Sequence, residues 1–243
     1  MPETQHWAPQ PEAIRLEDGE VHLWRAFLDR EEGALPQYEA TLASEEMARA
    51  NRFFSQQDRN HFIATRGILR ELLSRYTDCP PADLVFKYGT QGKPSLLRVD
   101  LPRSVQFNVS HSHGLAVLAF AIDRAVGVDV ELIRPEFAGD EIAERYFSPQ
   151  ELRELMALPP AMRAEGFFLC WTRKEAYVKG RGEGLHIPLD SFSVSLTPGQ
   201  PARLESGDNS RWSMYSIRPG SQFVGAFVAE GTGVRPRYFY WNR

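Results

Sequence analysis

The 243-residue sequence predicts an α+β fold, a pseudo-dimer of two similar subdomains that each pack a helix on a small antiparallel sheet, with a cleft between them. Three observations predict it. Phe62, Leu69, Leu72 and Leu73 recur at helical spacing. Short alternating segments split by Gly and Pro follow that helix. The same succession then comes a second time.

In chain order, the first 20 or so residues are polar and proline-bearing and define no element. Residues 61–76 form the first predicted helix, followed by strands at 84–88, 106–110 and 116–121. A strand at 126–133 joins the halves. The second helix is predicted at 165–180, with strands at 192–196, 213–217 and 223–229. An offset of 107 residues pairs Thr65-Arg66 with Thr172-Arg173, Pro81 with Pro188, Asp83 with Asp190, Thr90 with Thr197, Gly92 with Gly199 and Ala119-Phe120 with Ala226-Phe227. Upstream, Arg52-Phe53-Phe54-Ser55 matches Arg145-Tyr146-Phe147-Ser148 at 93, which places a 14-residue insertion around 155–164. The division is 1–123 and 124–243. Ligands favour clefts between such units, so the active site is expected there.

Composition narrows the class. With 28 Lys+Arg against 32 Asp+Glu, the net charge of −4 leaves no global basic field to recruit nucleic acid or anionic membrane. Cys79 and Cys170 lack metal-type spacing and suit a reducing compartment. The polar start lacks the apolar run of a secretory signal, and the apolar run 115–122 is far short of the roughly 20 residues of a membrane span. A cytoplasmic protein is expected.

Four segments carry candidate chemistry. In Gly127-Val128-Asp129-Val130-Glu131, strand alternation sends both carboxylates to one face, an arrangement suited to Mg²⁺ and equally to a solvated acidic strand face. On the second helix Trp171, Glu175 and Lys179 fall on one stripe, which offers a metal ligand, a proton acceptor and a phosphate contact, or else a surface Glu–Lys pair. Asn108-Val109-Ser110-His111-Ser112-His113-Gly114 ends a strand with donors for phosphate. A Ser–His nucleophile pair is the rival there, but no nucleophile elbow is present. Gln91-Gly92-Lys93-Pro94 reads as a turn with a cation at its tip, and Arg52, Arg59, Arg66 and Arg70 form a basic set on or before the first helix.

Phe107-Asn108-x-Ser110-His111-Ser112, Gly127-x-Asp129-x-Glu131, Phe147-Ser148-x-x-Glu151, Trp171-Thr172-x-Lys174-Glu175-Ala176-x-x-Lys179 and Gly182-x-Gly184-Leu185 occur in that order. With Gly92-Lys93-Pro94 upstream, this set resembles the 4′-phosphopantetheinyl transferases of the surfactin-synthetase-activating type over roughly residues 50–195. The resemblance implies a Mg²⁺-dependent enzyme that moves phosphopantetheine from coenzyme A to a serine of an acyl or peptidyl carrier protein and releases 3′,5′-ADP. It further implies a monomer, with Asp129, Glu131 and Glu175 holding the metal and Glu175 and Lys179 acting in catalysis. Lys179 and His111 would contact phosphate, Lys93 and Ser110 would help seat the adenine nucleotide, and Glu151 would support the site. Where relatives carry an arginine at the start of the first helix, this chain has His61 as the candidate contact to the 3′-phosphate, so that contact would either weaken or pass to Arg66 or Arg59. Carrier contacts are expected near the cleft and around 155–164. A metal-dependent phosphohydrolase acting on a nucleotide diphosphate ester is the alternative, since the same carboxylates would activate water. The offset of 107 sets Ile68 opposite Glu175, which implies one catalytic cleft instead of two.

Overall fold

The computed structural model describes residues 5–89, 92–97, 103–137, 139–182 and 187–243. Thr90, Gln91, Gly184 and Leu185, which figure in the repeat and the motifs, lie outside these residues. Strands β1 (Ala8–Pro9) and β2 (Glu20–Phe27) precede helices α1 (Leu35–Glu39), α2 (Ser44–Ala50) and α3 (Gln56–Thr77). The hairpin β3 (Phe86–Tyr88) and β4 (Pro94–Leu96) leads to β5 (Val105–Ser112), β6 (Leu115–Ile122) and β7 (Val126–Leu132). Helices α4 (Asp140–Tyr146), α5 (Pro149–Ala157) and α6 (Pro160–Arg181) come next, then β8 (Trp212–Ile217), β9 (Phe223–Glu230) and β10 (Arg235–Tyr240).

One sheet has the order β1-β10-β2-β6-β5, a second has β7-β9-β8, and β3 pairs with β4 alone. The mixed helix-and-sheet class is as expected, but the first sheet is not purely antiparallel. Strand β10 pairs parallel with both β2 and β1, covering an edge of β2 that would otherwise stay unpaired. The segment 192–196 forms no full strand: only Val194 bridges to Leu204.

Apolar burial stacks the elements in layers. Trp24, Ile63, Ile68, Leu72 and Phe120 fill the space between α3 and one face of the first sheet. Val21, Leu23, Val117 and Ala119 from the other face meet Val128, Val130 and Phe227 of the second sheet. Beyond that sheet, Phe168, Cys170, Ala176 and Val178 of α6 pack with Val224, Ala226 and Val228. Strand β6 lies inside its sheet with both faces covered, so its Leu-Ala-Val-Leu-Ala-Phe-Ala-Ile run lacks a polar face. Helix α3 starts where Ser55 Oγ accepts from Asp58 N at 3.4 Å. It lies close to α1 because Gly67 has no Cβ, which would meet the Tyr38 ring at 2.1 Å.

Two buried ion pairs are built alike. Glu46, the third residue of α2, accepts from Ala43 N and meets Arg70 of α3 at 2.6 Å, and Arg70 also donates to the carbonyls of Pro81 and Leu84. Glu151, the third residue of α5, accepts from Ser148 N and meets Lys174 of α6 at 2.7 Å, and Lys174 also donates to the carbonyls of Leu189 and Phe192. These contacts equate Arg70 with Lys174, so the 22-residue helices α3 and α6 match at 174 − 70 = 104 residues. The spacing of the like ion pairs along the helices differs by three residues from the sequence offset of 107. On that matching Glu175 falls opposite Glu71 and Lys179 opposite Arg75, where the offset of 107 sets Glu175 opposite Ile68.

Candidate active site

Strand β7 meets α6 with almost no side chain between them. A Cβ on Gly127 would lie 2.2 Å from both Ala176 O and Gly180 N, and one on Gly180 would lie 2.5 Å from Val228. This approach carries Asp129, on the strand face opposite Val128 and Val130, to the last turns of α6. Lys179 Nζ donates to Asp129 Oδ1 at 2.6 Å, and Ser110 Oγ donates to the same oxygen at 2.8 Å. Asp129 Oδ2 is buried without a partner. Two residues on, Glu131 Oε2 accepts from Ser112 Oγ at 2.7 Å. Strands β5 and β7 belong to different sheets and run in one direction, and their side chains make the bridges, including Val128 N to Asn108 Oδ1 at 2.8 Å. Burial, and then the charge of Asp129, push the Glu175 and Glu131 carboxyls above the ordinary range.

A cavity of about 400 Å³ opens beside this cluster, lined by Arg49, Arg66, Lys93, His111, Glu175 and Lys179 over an apolar wall that includes Phe62 and Val109. Arg66 is buried, reaches Glu46 through Nε at 3.2 Å, and keeps Nη1 without an acceptor. Lys93 donates to the carbonyls of Val126 and Lys179, at 3.1 and 2.6 Å, and burial holds its ammonium down to about 8. His111 is held below the ordinary imidazole value by burial and then by Lys179.

Five residues singled out in the sequence therefore share the cavity: Arg66, Lys93, His111, Glu175 and Lys179. Asp129 lies behind Lys179, and the Ser110 hydroxyl is engaged by Asp129 and Lys179. Arg59 is tied to Glu39 at 2.9 Å and to Asn51, and His61 pairs with Asp29 at 2.7 Å, so neither lines the cavity. Glu151, fully buried against Lys174, braces α5 on α6. Arg49 was not among the sequence candidates. Its guanidinium lies 5.3 Å from the centre of the Phe62 ring, at the cavity wall. Among the described residues, no three His, Cys, Asp or Glu side chains converge closely enough to hold a metal ion unaided.

Residues 125–228 match the model of the 4′-phosphopantetheinyl transferase superfamily, and residues 31–122 match that of a 4′-phosphopantetheinyl transferase N-terminal domain. The 4′-phosphopantetheinyl transferase HetI of Nostoc is 39% identical over 98% of this chain and 99% of its own. The chain belongs to the 4′-phosphopantetheinyl transferases. Sfp of Bacillus subtilis is 31% identical over 74% of this transferase and 79% of its own length. AcpT of Escherichia coli is 37% identical over 63% of the transferase and 82% of its own length. The phosphohydrolase reading finds no support among these relatives. The junction between the matched segments, at residues 122–125, falls just before β7, so Asp129, Glu131, Glu175 and Lys179 come from one segment and Arg49, Arg66, Lys93, Ser110 and His111 from the other.

Proposed function

We propose that this transferase moves the phosphopantetheine arm of coenzyme A onto a serine hydroxyl of an acyl or peptidyl carrier protein and releases 3′,5′-ADP. One observation carries the reading. In a chain of net charge −4, Arg49, Arg66, Lys93, His111 and Lys179 line one cavity together with the carboxyl of Glu175. Such a cavity suits a multiply charged phosphate ester. The serine Oγ would attack the β-phosphorus, and the bond from that phosphorus to the ADP oxygen would break with its electron pair leaving on 3′,5′-ADP. Glu175, raised in basicity by burial, would take the serine proton. Lys179 and the arginines would hold the phosphate oxygens in line and oppose the charge that develops on them.

The chemistry of the site's carboxylates supports a divalent cation whose shell the substrate's diphosphate and water would complete. Asp129 Oδ2 is a buried acceptor lacking a donor, and Glu131 and Glu175 are both destabilised as anions by burial and then by Asp129. Asp129, Glu131 and Glu175 would hold Mg²⁺, with water completing the shell, and the ion would neutralise diphosphate charge. The free donor of Arg66 and the guanidinium of Arg49 suit the 3′-phosphate, taking the place that Arg59 and His61 do not reach.

The working unit we infer is a monomeric pseudo-dimer, divided near residue 123, with its active site in the cleft between the halves. The paired ion-pair frameworks of Glu46–Arg70 and Glu151–Lys174 support duplication, and the supply of cavity residues by both halves supports one site per chain. In the first half, the face corresponding to Glu175 and Lys179 is covered by chain ends: Glu71 meets Arg243 at 3.4 Å, and Arg75 donates to Gln10, Pro11 and Glu12. Among the described residues no helix is long and apolar enough to cross a membrane. A cytoplasmic location suits carrier substrates and two free cysteines.

The test is incubation of the purified chain with coenzyme A, Mg²⁺ and one apo carrier each from fatty-acid, polyketide and peptide synthesis. Mass spectrometry should show the phosphopantetheine increment on at least one carrier. No increment on any of them defeats the reading.

A further inference from the structure

Strand β5 carries Ser110 and Ser112 two residues apart, and β7 carries Asp129 and Glu131 with the same spacing. Each serine donates to the carboxylate opposite, at 2.8 and 2.7 Å, so one rung sits above the other across the seam between the halves. The two rungs differ in what else they touch. Ser110 Oγ also meets Lys179, whereas Ser112 Oγ accepts from Leu132 N at 3.4 Å and lies 3.0 Å from His113 Nδ1. The Leu132 amide can only donate, and with His113 protonated at Nδ1 the imidazole donates too, so the one hydroxyl proton of Ser112 goes to Glu131 at 2.7 Å, the shorter of its two side-chain contacts. Ser112 is itself held by the backbone. It pairs with Leu115 across the two-residue turn His113-Gly114, where φ is +46° and +76°, as a type I′ hairpin requires. Ser112 is nearly buried, so its hydroxyl has little water to turn to.

We infer that Ser112 is a positioning residue for Glu131: its hydroxyl occupies Oε2 and so fixes the carboxylate, leaving Oε1 as the oxygen that would meet a cation. The inference rests on the transferase reading above and adds a residue to it. Polar groups that orient a metal-binding carboxylate typically govern affinity by 10- to 100-fold, a range far above what one surface hydroxyl contributes. Ser112→Ala leaves Glu131 in place but free to rotate. Ser112→Thr keeps the hydroxyl.

The experiment is Mn²⁺ titration of the wild-type chain, Ser112→Ala and Ser112→Thr by calorimetry and by the Mn²⁺ electron paramagnetic resonance signal, alongside thermal melts and carrier transfer. The expected result is Mn²⁺ affinity about tenfold or more weaker in Ser112→Ala, restored in Ser112→Thr, with melting temperatures close together. Equal affinity in wild type and Ser112→Ala overturns the inference, as does a wild-type chain that binds no Mn²⁺. An equal loss in the alanine and threonine variants also overturns it, because the hydroxyl would not be the cause. Failure of the transfer reading shows separately, as absence of carrier modification by the wild-type chain.

Discussion

Lys179 Nζ stands 2.6 Å from Asp129 Oδ1 across the junction of α6 and β7, with the lysine side chain 30% exposed and the aspartate side chain 5% exposed. The ammonium thus has one side on a buried anion and the other on the cavity. Lys179→Met is expected to lower kcat/KM for coenzyme A by about 10²- to 10³-fold, the scale of losing one charged donor at a site of developing charge. Steady-state kinetics with a fixed carrier reads this, and a change under threefold would take Lys179 out of the chemistry.

Glu175 should set the acid limb of the pH–rate profile. Its carboxyl is raised by burial and by Asp129, and it accepts a proton only when ionised, so kcat should climb with pH through a value above the usual carboxylate range. Glu175→Gln should abolish that limb and lower kcat by about 10²- to 10⁴-fold.

The same shift has a stability consequence. A carboxyl with a raised folded-state pKa stabilises the fold below its unfolded value, and that contribution is lost as pH rises through the folded value. Glu175→Gln should therefore melt higher than wild type at pH 7 and show little difference near pH 4. The opposite ordering in calorimetry would show that the carboxylate is satisfied in the free protein.

Lys93 supplies a cation only while protonated, and burial holds it down to about 8. Coenzyme A affinity should accordingly weaken as pH rises through that value, and Lys93→Gln should flatten the dependence. Fluorescence or calorimetric Kd values between pH 6.5 and 9.5 would decide it, parallel curves for the two proteins being the contrary result.

Gly127→Ala puts a methyl group 2.2 Å from two backbone atoms of α6. Strand and helix must part, at about 1–3 kcal/mol, and Asp129 withdraws from Lys179. Transfer should fall further than the melting temperature alone explains. A fully active, normally stable Gly127→Ala protein would mean that β7 and α6 separate without affecting the site.

Lys174→Met leaves the Glu151 carboxylate uncompensated in a fully buried position, and its cost should be about 3–5 kcal/mol. At roughly 2–4 °C per kcal/mol, the melting temperature should drop by roughly 6–20 °C. In the double variant Lys174→Met with Glu151→Met, much of that loss should return.

The parts of the fold that were legible in the sequence are those written in local period. The two long helices and strands β5 to β9 announce themselves by spacing, and the ordered motifs on β5, β7 and α6 contain residues that hydrogen-bond to one another, Ser110 and Lys179 to Asp129 and Ser112 to Glu131. Strand β10 was not legible, since its Arg-Pro-Arg-Tyr-Phe-Tyr run gains its partner only through β2, more than 200 residues earlier. Arg49 was missed for a similar reason. Nothing in its helix distinguishes it from Arg52, and only the fold of α2 over Phe62 turns it towards the cavity. Ser110 was recognised as a site residue, but its partner Asp129 is set by the side-by-side course of two strands from different sheets. The helix offset and the ion pairs differ because matched identities such as Thr65-Arg66 and Thr172-Arg173 lie about one turn away from the spacing at which Arg70 and Lys174 make like ion pairs.

Strand β10 also sets an order among the strands. The sheet that backs α3 takes an interior strand from residues 235–240, so one side of β2 finds its partner only after the second sheet in chain order. The residues up to 230 include every residue lining the cavity beside Lys179 and still lack the strand between β1 and β2. Closure of the first sheet is thereby tied to a strand that lies beyond the whole second sheet in sequence, so the two sheets are coupled through the order of the chain and not only through their packed faces.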